Sequence, residues 1–332
     1  MHRLQNPGRN PGETSRLIRF DLSAPCSSDL DPTPQGGQYR GRFAPSPTGP
    51  LHLGSLYTAL ASFLQARSLR GEWLLRIDDV DSLRTIPSAA DRILRTLEWH
   101  GLHWDGEVVF QSRNLEAYQR ALEALESNGL LYPCTCTRQE LTALTRQNSD
   151  HNAYPGVCRG QSRDLRQPHA LRVKAGDITI AFADTMQGEF RQDLAAEVGD
   201  FIVRRRDGIH AYHLATVIDD HRAEITEVMR GIDLLESTPR QIHLQRLLKL
   251  PTPSYRHIPV VADAQGNKLS KQSGAVPVDD AHPSRTLFTL LNLLNQSPPK
   301  ALQTAPSDEI LQWAIAAWDV GKLVGRAVAP AL

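Results

Sequence analysis

The stretch Arg42-Phe43-Ala44-Pro45-Ser46-Pro47-Thr48-Gly49-Pro50-Leu51-His52-Leu53-Gly54-Ser55 decides the fold. Tyr39 to Ala44 carries the residues of a strand, and Pro45 to Gly49 is a rigid Pro/Gly turn. From Leu51 onward Leu53, Leu56, Leu60, Phe63 and Leu64 recur at helical spacing, and Gly71 is expected to end that helix as a C-cap. Trp73-Leu74-Leu75-Arg76-Ile77 then reads as a buried strand ending in Asp78-Asp79. Strand, helix and strand make a β-α-β unit, whose ligand site belongs at the carboxyl ends of the strands. His52 and the backbone N–H groups at the helix start suit phosphate there, and Gly54 lets a nucleotide approach closely.

A second signature, Lys268-Leu269-Ser270-Lys271-Gln272, lies far downstream on a Gly/Ser-flanked loop. With the first it points to ATP-dependent activation of a carboxylate. In that reaction the carboxylate attacks the α-phosphorus and pyrophosphate leaves. Negative charge grows on the phosphoryl oxygens, so aimed donors matter more than a general base. Lys271 suits the β- and γ-phosphates.

The chain has 332 residues, 40% hydrophobic and 22% charged, which supports a sizeable core. The formal net charge is zero, so no global field favours nucleic acid; Arg204-Arg205-Arg206 is a local basic patch. No run approaches the roughly 20 apolar residues of a membrane helix, and no secretory h-region opens the chain; a cytoplasmic protein without membrane partners is expected. Residues 1–37 are rich in Pro, Gly, Ser and Asp and read as a disordered extension in which Cys26 is an idle thiol.

Further along, Ser88 with Asp91 and Thr137 with Glu140 look like capping boxes. A helix is expected from Leu115 to Asn128, stopping at Gly129, and strands over 171–183. Phe201–Arg205 and Ile209–Val217 flank Asp207-Gly208 as a hairpin, with Ile209–Asp220 returning to the main sheet. A helix starts at Thr238 with Pro239 in its first turn. The last 50 or so residues read as helical, with Leu287, Leu290, Leu291 and Leu294 on one face.

Cys134, Cys136 and Cys158 lie close in sequence, which in a cytoplasmic protein reads as metal before disulfide. Zinc takes four ligands. Three thiolates leave a fourth place for His151 or Tyr154, and imidazole is the commoner ligand.

On these residues the sequence resembles the class I aminoacyl-tRNA synthetases. His52-Leu53-Gly54-Ser55 matches their "HIGH" element and Lys268-Leu269-Ser270-Lys271-Gln272 their "KMSKS" element, and the arginine-led form Arg42 to Gly49 is the glutamyl-type version. The likeness runs from about residue 39 to 280. It is closest to the glutamyl-Q tRNA(Asp) synthetase family, shortened paralogues of glutamyl-tRNA synthetase.

The resemblance implies an α/β, Rossmann-like catalytic domain with a zinc-binding insertion and a small C-terminal helical subdomain. It divides the chain into 1–37, 38–117, 118–200 (the insertion), 201–243 and 244–332. Glutamate would be held by Arg42, Phe43, Ala44, Pro45, Ser46, Asp78, Tyr212 and Arg230. His52, Gly54, Lys268, Ser270 and Lys271 would bind ATP, supplied with Mg2+, with His52 and Lys271 catalytic. Asp78 departs from the family's usual Glu. One structural zinc would take Cys134, Cys136, Cys158 and, by the family's Tyr-x-x-x-Cys pattern, Tyr154. Asp219-Asp220 reads as structural or tRNA-facing.

The implied reaction is tRNA-independent activation of L-glutamate and transfer to the queuosine base in the anticodon of tRNA(Asp), by a monomer. Only about sixty residues follow Lys271, which favours this over an ordinary synthetase. The alternatives are a truncated glutamyl-tRNA synthetase charging the 3′ end of tRNA(Glu), a non-catalytic RNA- or amino-acid-binding paralogue, and a small-molecule adenylyltransferase.

Overall fold

Two parallel strands joined through one helix organise the chain. β1 (Arg40–Phe43) pairs with β2 (Glu72–Ile77), Arg42 opposite Leu74, and α1 (Leu53–Ser68) crosses between them. β3 (Val109–Phe110) extends the sheet beyond β2, again parallel. The computed structural model describes residues 38–147, 153–161, 166–262, 278–323 and 328–330. Residues 1–37, His151 and the segment from 263 to 277, with Lys268, Ser270 and Lys271, lie outside the described residues.

Packing fixes the crossover. Trp73 is fully buried, stacks on Phe43 and meets Phe63 of α1 edge-on, and its indole N–H donates to Ser62 Oγ at 2.9 Å. Gly71 has a different role from the expected C-cap. Arg70 takes the left-handed conformation (φ 53°), whereas a Cβ on Gly71 would meet the backbone oxygen of Tyr39 at 2.4 Å. The glycine lets the two strands start side by side.

After α2 (Ala89–Trp99) and α3 (Leu115–Ser127) comes the inserted region. β4 (Leu131–Cys134), α4 (Arg138–Gln147) and β5 (Ala170–Val173) open it, followed by the antiparallel hairpin β6 (Thr179–Asp184) and β7 (Gly188–Asp193). The short α5 (Leu194–Glu197) leads to β8 (Phe201–Arg204), which pairs antiparallel with β5, so this sheet runs past the boundary expected at residue 200. Next are α6 (Tyr212–Arg222), β9 (Glu227–Gly231), α7 (Thr238–Leu247) and β10 (Ser254–Ile258), the last parallel to β9. Thr226 N–H donates to Arg40 O at 2.9 Å and lays β9 beside β1. The hairpin joins this side at one residue pair, Tyr255 with Asp184.

β11 (Val260–Ala262), α8 (Pro283–Leu293), α9 (Ser307–Ala317) and β12 (Val328–Pro330) complete the described elements. β10 belongs to the sheet, so the region after 244 is not helical throughout. Leu287, Leu290, Leu291 and Leu294 are fully buried in one core with Leu56, Leu60 and Leu64 of α1. Each such side chain contributes roughly 1.5–3 kcal/mol of burial. No helix among the described residues is long and apolar enough to cross a membrane.

Two local expectations fail and one holds. Ser88 has φ 60° and makes no side-chain cap, so no capping box forms there. The hairpin turn is real, with Arg205 N–H on Ile209 O and Gly208 N–H on Arg205 O. Its second strand ends at the single Arg204–His210 bridge, and the chain then turns into α6. Leu214, Ala215, Val217 and Ile218 form a buried helical face, a pattern that alternation over nine residues does not separate from a strand. Thr137 and Glu140 do form a capping box, with Thr137 N–H to Glu140 Oε2 at 2.7 Å and Glu140 N–H to Thr137 Oγ1 at 3.2 Å.

Candidate active site

The turn after β1 is built from backbone bonds. Thr48 N–H donates to Ser46 O, Asp78 N–H to Pro45 O and Ile86 N–H to Pro47 O, which ties the turn to the end of β2. Gly49 sits at φ 140°, where a side chain would be strained. His52 is the N-cap of α1: Ser55 N–H donates to its Nδ1 at 3.2 Å, and Nε2 lies 3.0 Å from Ser55 Oγ. An Nδ1 that accepts leaves the proton of a neutral ring on Nε2, so the imidazole donates to the Ser55 hydroxyl. Val278 N–H donates to Leu51 O at 3.0 Å, so the chain leaves the undescribed 263–277 segment right beside His52.

A buried charge network backs this turn. Arg42 donates through Nε and Nη2 to the two carboxylate oxygens of Asp220, at 3.1 and 3.2 Å. Arg76 bonds Asp78 at 2.7 Å and also Asp220. Asp219 accepts from Gln111 (2.9 Å), Asn114 (2.9 Å) and Tyr118 (2.6 Å). Asp219 and Asp220 are thus buried and structural; the tRNA-facing alternative is overturned, because α6 turns its last acidic pair onto the strand ends.

Two guanidinium groups face three carboxylates here. Burial pushes the Asp78 carboxyl up; Arg76 opposes this and Asp219 and Asp220 add to it, leaving it at about 6. Asp219 is also raised by burial. Burial acts the same way on Asp220, but Arg42 and Arg76 outweigh it and hold its carboxyl below the usual range.

In front lies a cavity of about 320 Å³, walled by Arg42, His52, Arg76, Tyr212, Arg230 and Asp233 among others. Phe43, Ala44, Pro45, Ser46 and Gly54 also line it. Tyr212 enters from the first turn of α6, partly exposed, not from a strand. Arg230, at 4% exposure, enters from β9. Arg76 Nη2 and Arg230 Nη1 are buried with no hydrogen-bond partner among the described residues. Three arginines on one cavity wall suit a ligand that carries carboxylates.

Nine of the expected ligand residues therefore converge on one cavity: Arg42 to Ser46, His52, Gly54, Tyr212 and Arg230. Asp78 does not line it, being turned onto Arg76. Sequence reasoning missed Arg76 and Asp233. The signal for Arg76 was present, a lone charge inside the apolar run Trp73 to Ile77.

A second cluster lies in the inserted region. Cys134, Cys136 and Cys158 bring their sulfurs within 4.8 Å of one another. Tyr154 Oη lies 3.5 Å from Cys134 Sγ and 3.8 Å from Cys136 Sγ, and Cys136 and Cys158 sulfurs are 3.4 Å apart. Tetrahedral ligands at Zn–S of about 2.3 Å are about 3.8 Å apart, so the donor set fits. Burial pushes the Cys158 thiol up, but hydrogen bonds from Tyr154, the Thr135 backbone and the other two cysteines bring it down to about 7. Burial and bonds to Cys158 and Cys134 push the Tyr154 phenol well above its ordinary value, a shift a bound cation would reverse. The guanidinium of Arg172 lies 3.6 Å over the Tyr154 ring. Arg206 ties the loop to β8, donating to Thr135 O and Pro168 O.

The chain is similar to known proteins over most of its length. The family described as tRNA synthetases class I (E and Q), catalytic domain, matches residues 38–312. The glutamyl-Q tRNA(Asp) synthetase of Methylococcus capsulatus is 55% identical over 286 residues, 86% of this chain and 93% of that protein. The one from Aromatoleum aromaticum is 52% identical over 85% of this chain and 89% of its own length. Among solved structures, the glutamate-tRNA synthetase of Elizabethkingia anophelis superposes with a TM-score of 0.74 at 28% identity, covering 89% of this chain and 68% of that one.

Proposed function

The chain belongs to the glutamyl-Q tRNA(Asp) synthetases, within the class I (E and Q) synthetase catalytic-domain family, and on that basis we propose that it activates L-glutamate with ATP and transfers it to queuosine in tRNA(Asp). The observation that carries the glutamate assignment is the single cavity wall that brings the guanidinium-bearing residues Arg42, Arg76 and Arg230 together with Tyr212.

In this reading one carboxylate of glutamate meets Arg230 and the other the Arg42–Arg76 side of the cavity, where planar guanidinium groups give paired, charge-assisted bonds. The ammonium is drawn toward the carboxylates behind the wall, where Asp78 holds Arg76, and Tyr212 closes the exposed side. The network behind the wall supports this placement, since its three carboxylates outnumber its two arginines and a substrate cation restores balance.

The substrate's α-carboxylate oxygen bonds to the α-phosphorus of ATP, and the bond to the β-phosphate oxygen breaks, releasing pyrophosphate. His52, the α1 N-terminus and Gly54 face the phosphates, and Lys268, Ser270 and Lys271 complete that set from the segment between Val260–Ala262 and Val278. ATP is taken with Mg2+. A hydroxyl of the queuosine cyclopentenediol then attacks the activated carbonyl and AMP leaves.

Cys134, Cys136, Tyr154 and Cys158 would hold one structural zinc, in the loop whose Thr135 carbonyl accepts from Arg206.

Pyrophosphate exchange tests the first half. Exchange should depend on glutamate and proceed without tRNA. Glutamine should lose roughly 2–4 kcal/mol of transition-state binding, because its amide leaves a buried arginine unpaired. Exchange only when tRNA(Glu) is present would favour an ordinary glutamyl-tRNA synthetase.

A further inference from the structure

Arg230 is held from behind by a chain of buried groups that do not line the cavity. Its Nε donates to His257 Nε2 at 3.0 Å, and its Nη2 donates to Thr238 Oγ1 at 2.7 Å. His257 sits on β10, and Asp184 stands at the end of β6. Both side chains are fully buried, with His257 Nδ1 2.6 Å from Asp184 Oδ2. Asp184 is itself fixed, accepting the backbone N–H groups of Met186 (2.9 Å), Gln187 (2.8 Å) and His257 (3.1 Å).

The bonding sets the tautomer. An ionised carboxylate can only accept, so the imidazole proton lies on Nδ1. Nε2 is then a lone pair, which the Arg230 Nε–H requires. A proton on Nε2 would set two donors against each other at 3.0 Å.

The partners of the three arginines at the cavity differ. Arg42 and Arg76 are each bonded to carboxylates. Arg230 is bonded only to neutral acceptors among the described residues: an imidazole nitrogen, a hydroxyl and, at 3.5 Å, the Leu234 carbonyl. Its plane is fixed on two edges, its charge meets no carboxylate directly, and Nη1 is left over.

We propose that Asp184 and His257 are positioning residues for substrate binding: through the Nδ1–H tautomer they lock Arg230 at the cavity wall, where its guanidinium takes one carboxylate of the amino-acid substrate. This rests on the glutamate reading above. The use of a neutral ring matters, because a carboxylate at position 257 would hold Arg230 equally well and compete with the substrate for its charge.

The test is glutamate-dependent pyrophosphate exchange, with KM for glutamate and for ATP measured separately, on the wild type, His257→Leu, His257→Gln and Thr238→Val. His257→Leu should raise KM for glutamate about tenfold or more and leave KM for ATP within about twofold. His257→Gln, whose amide oxygen can accept at the place of Nε2, should recover most of that loss. Thr238→Val, nearly isosteric, should raise KM for glutamate by about threefold or more. Thermal melting establishes that each variant is folded, and if His257→Leu is not, Thr238→Val decides. Wild-type glutamate KM in the folded variants, equal damage to both KM values, or no rescue by glutamine would overturn the positioning role. A wild type that fails to exchange with glutamate defeats the underlying reading instead.

Discussion

Asp220 grips Arg42 at both ends, Nε on Oδ1 and Nη2 on Oδ2, across 178 positions of sequence. The same carboxylate also serves Arg76 from β2, so one side chain on α6 fixes two arginines of the cavity wall. Asp220→Asn would leave two buried guanidinium groups short of charge. It should destabilise the fold by about 3–5 kcal/mol, read by denaturant unfolding. Asp81→Asn, which removes a partly exposed pair with Arg205, should cost less than about 1 kcal/mol. Equal losses in the two variants would contradict this account.

Asp78 predicts an acid limb in the activity. With its carboxyl raised to about 6, protonation between pH 7 and 5 removes one charge from the network that holds Arg76 at the cavity wall. KM for glutamate should climb as pH falls through about 6, and Asp78→Asn should give a high KM without that limb. Stability moves the other way. The folded state binds this proton more tightly than the unfolded chain, whose value is near 3.8. Its contribution is therefore complete below about pH 4 and lost as pH rises through about 6. A glutamate KM flat from pH 7 to 5 in the wild type would remove this role.

Metal analysis should find about one zinc per chain. Cys134→Ser should lower it and impair transfer more than glutamate activation, since the cluster lies in the inserted region and not at the cavity. Tyr154→Phe should weaken zinc retention, and His151→Ala should not. The reverse result in the last pair would assign the fourth ligand to His151.

The acceptor can be settled with tRNA(Asp) from cells with and without queuosine. Labelled glutamate should appear only on the queuosine-containing form, as an ester labile to mild alkali, and periodate treatment of the cyclopentenediol should abolish it. Unpaired anticodon bases are read by stacking and edge hydrogen bonds, which an open cavity can offer. Label on queuosine-free tRNA(Asp), or on the 3′ end of tRNA(Glu), would refute the transfer step.

Much of the site was legible because it is local. The turn from Pro45 to Gly49, the helix from Leu53 and the strand Trp73 to Ile77 follow from periodicity and turn chemistry, and they place Arg42 and His52 together. The leucines at 287, 290, 291 and 294 likewise mark their buried face. What the sequence concealed is long-range or depends on context. Arg76 and Asp220 are 144 residues apart, and His257 and Asp184 are 73 apart; no local pattern announces either pair. The sequence around Tyr212 reads as a strand because a short apolar stretch after a turn fits both periods, and only packing against α3 and α7 selects the helix.

The one-residue join between β6 and β10 reaches into the active site. Although Ile180 shares a core with Val228 and Tyr255, and Gln187 donates to His257 O, the hairpin has a single ladder pair with the sheet. That pair includes Asp184, whose carboxylate reaches the imidazole behind Arg230. A chimera carrying a foreign hairpin without an acid at this position would inherit the fold and lose the grip on its amino acid. The hairpin is therefore part of what holds Arg230, and not only an appendage of the inserted region.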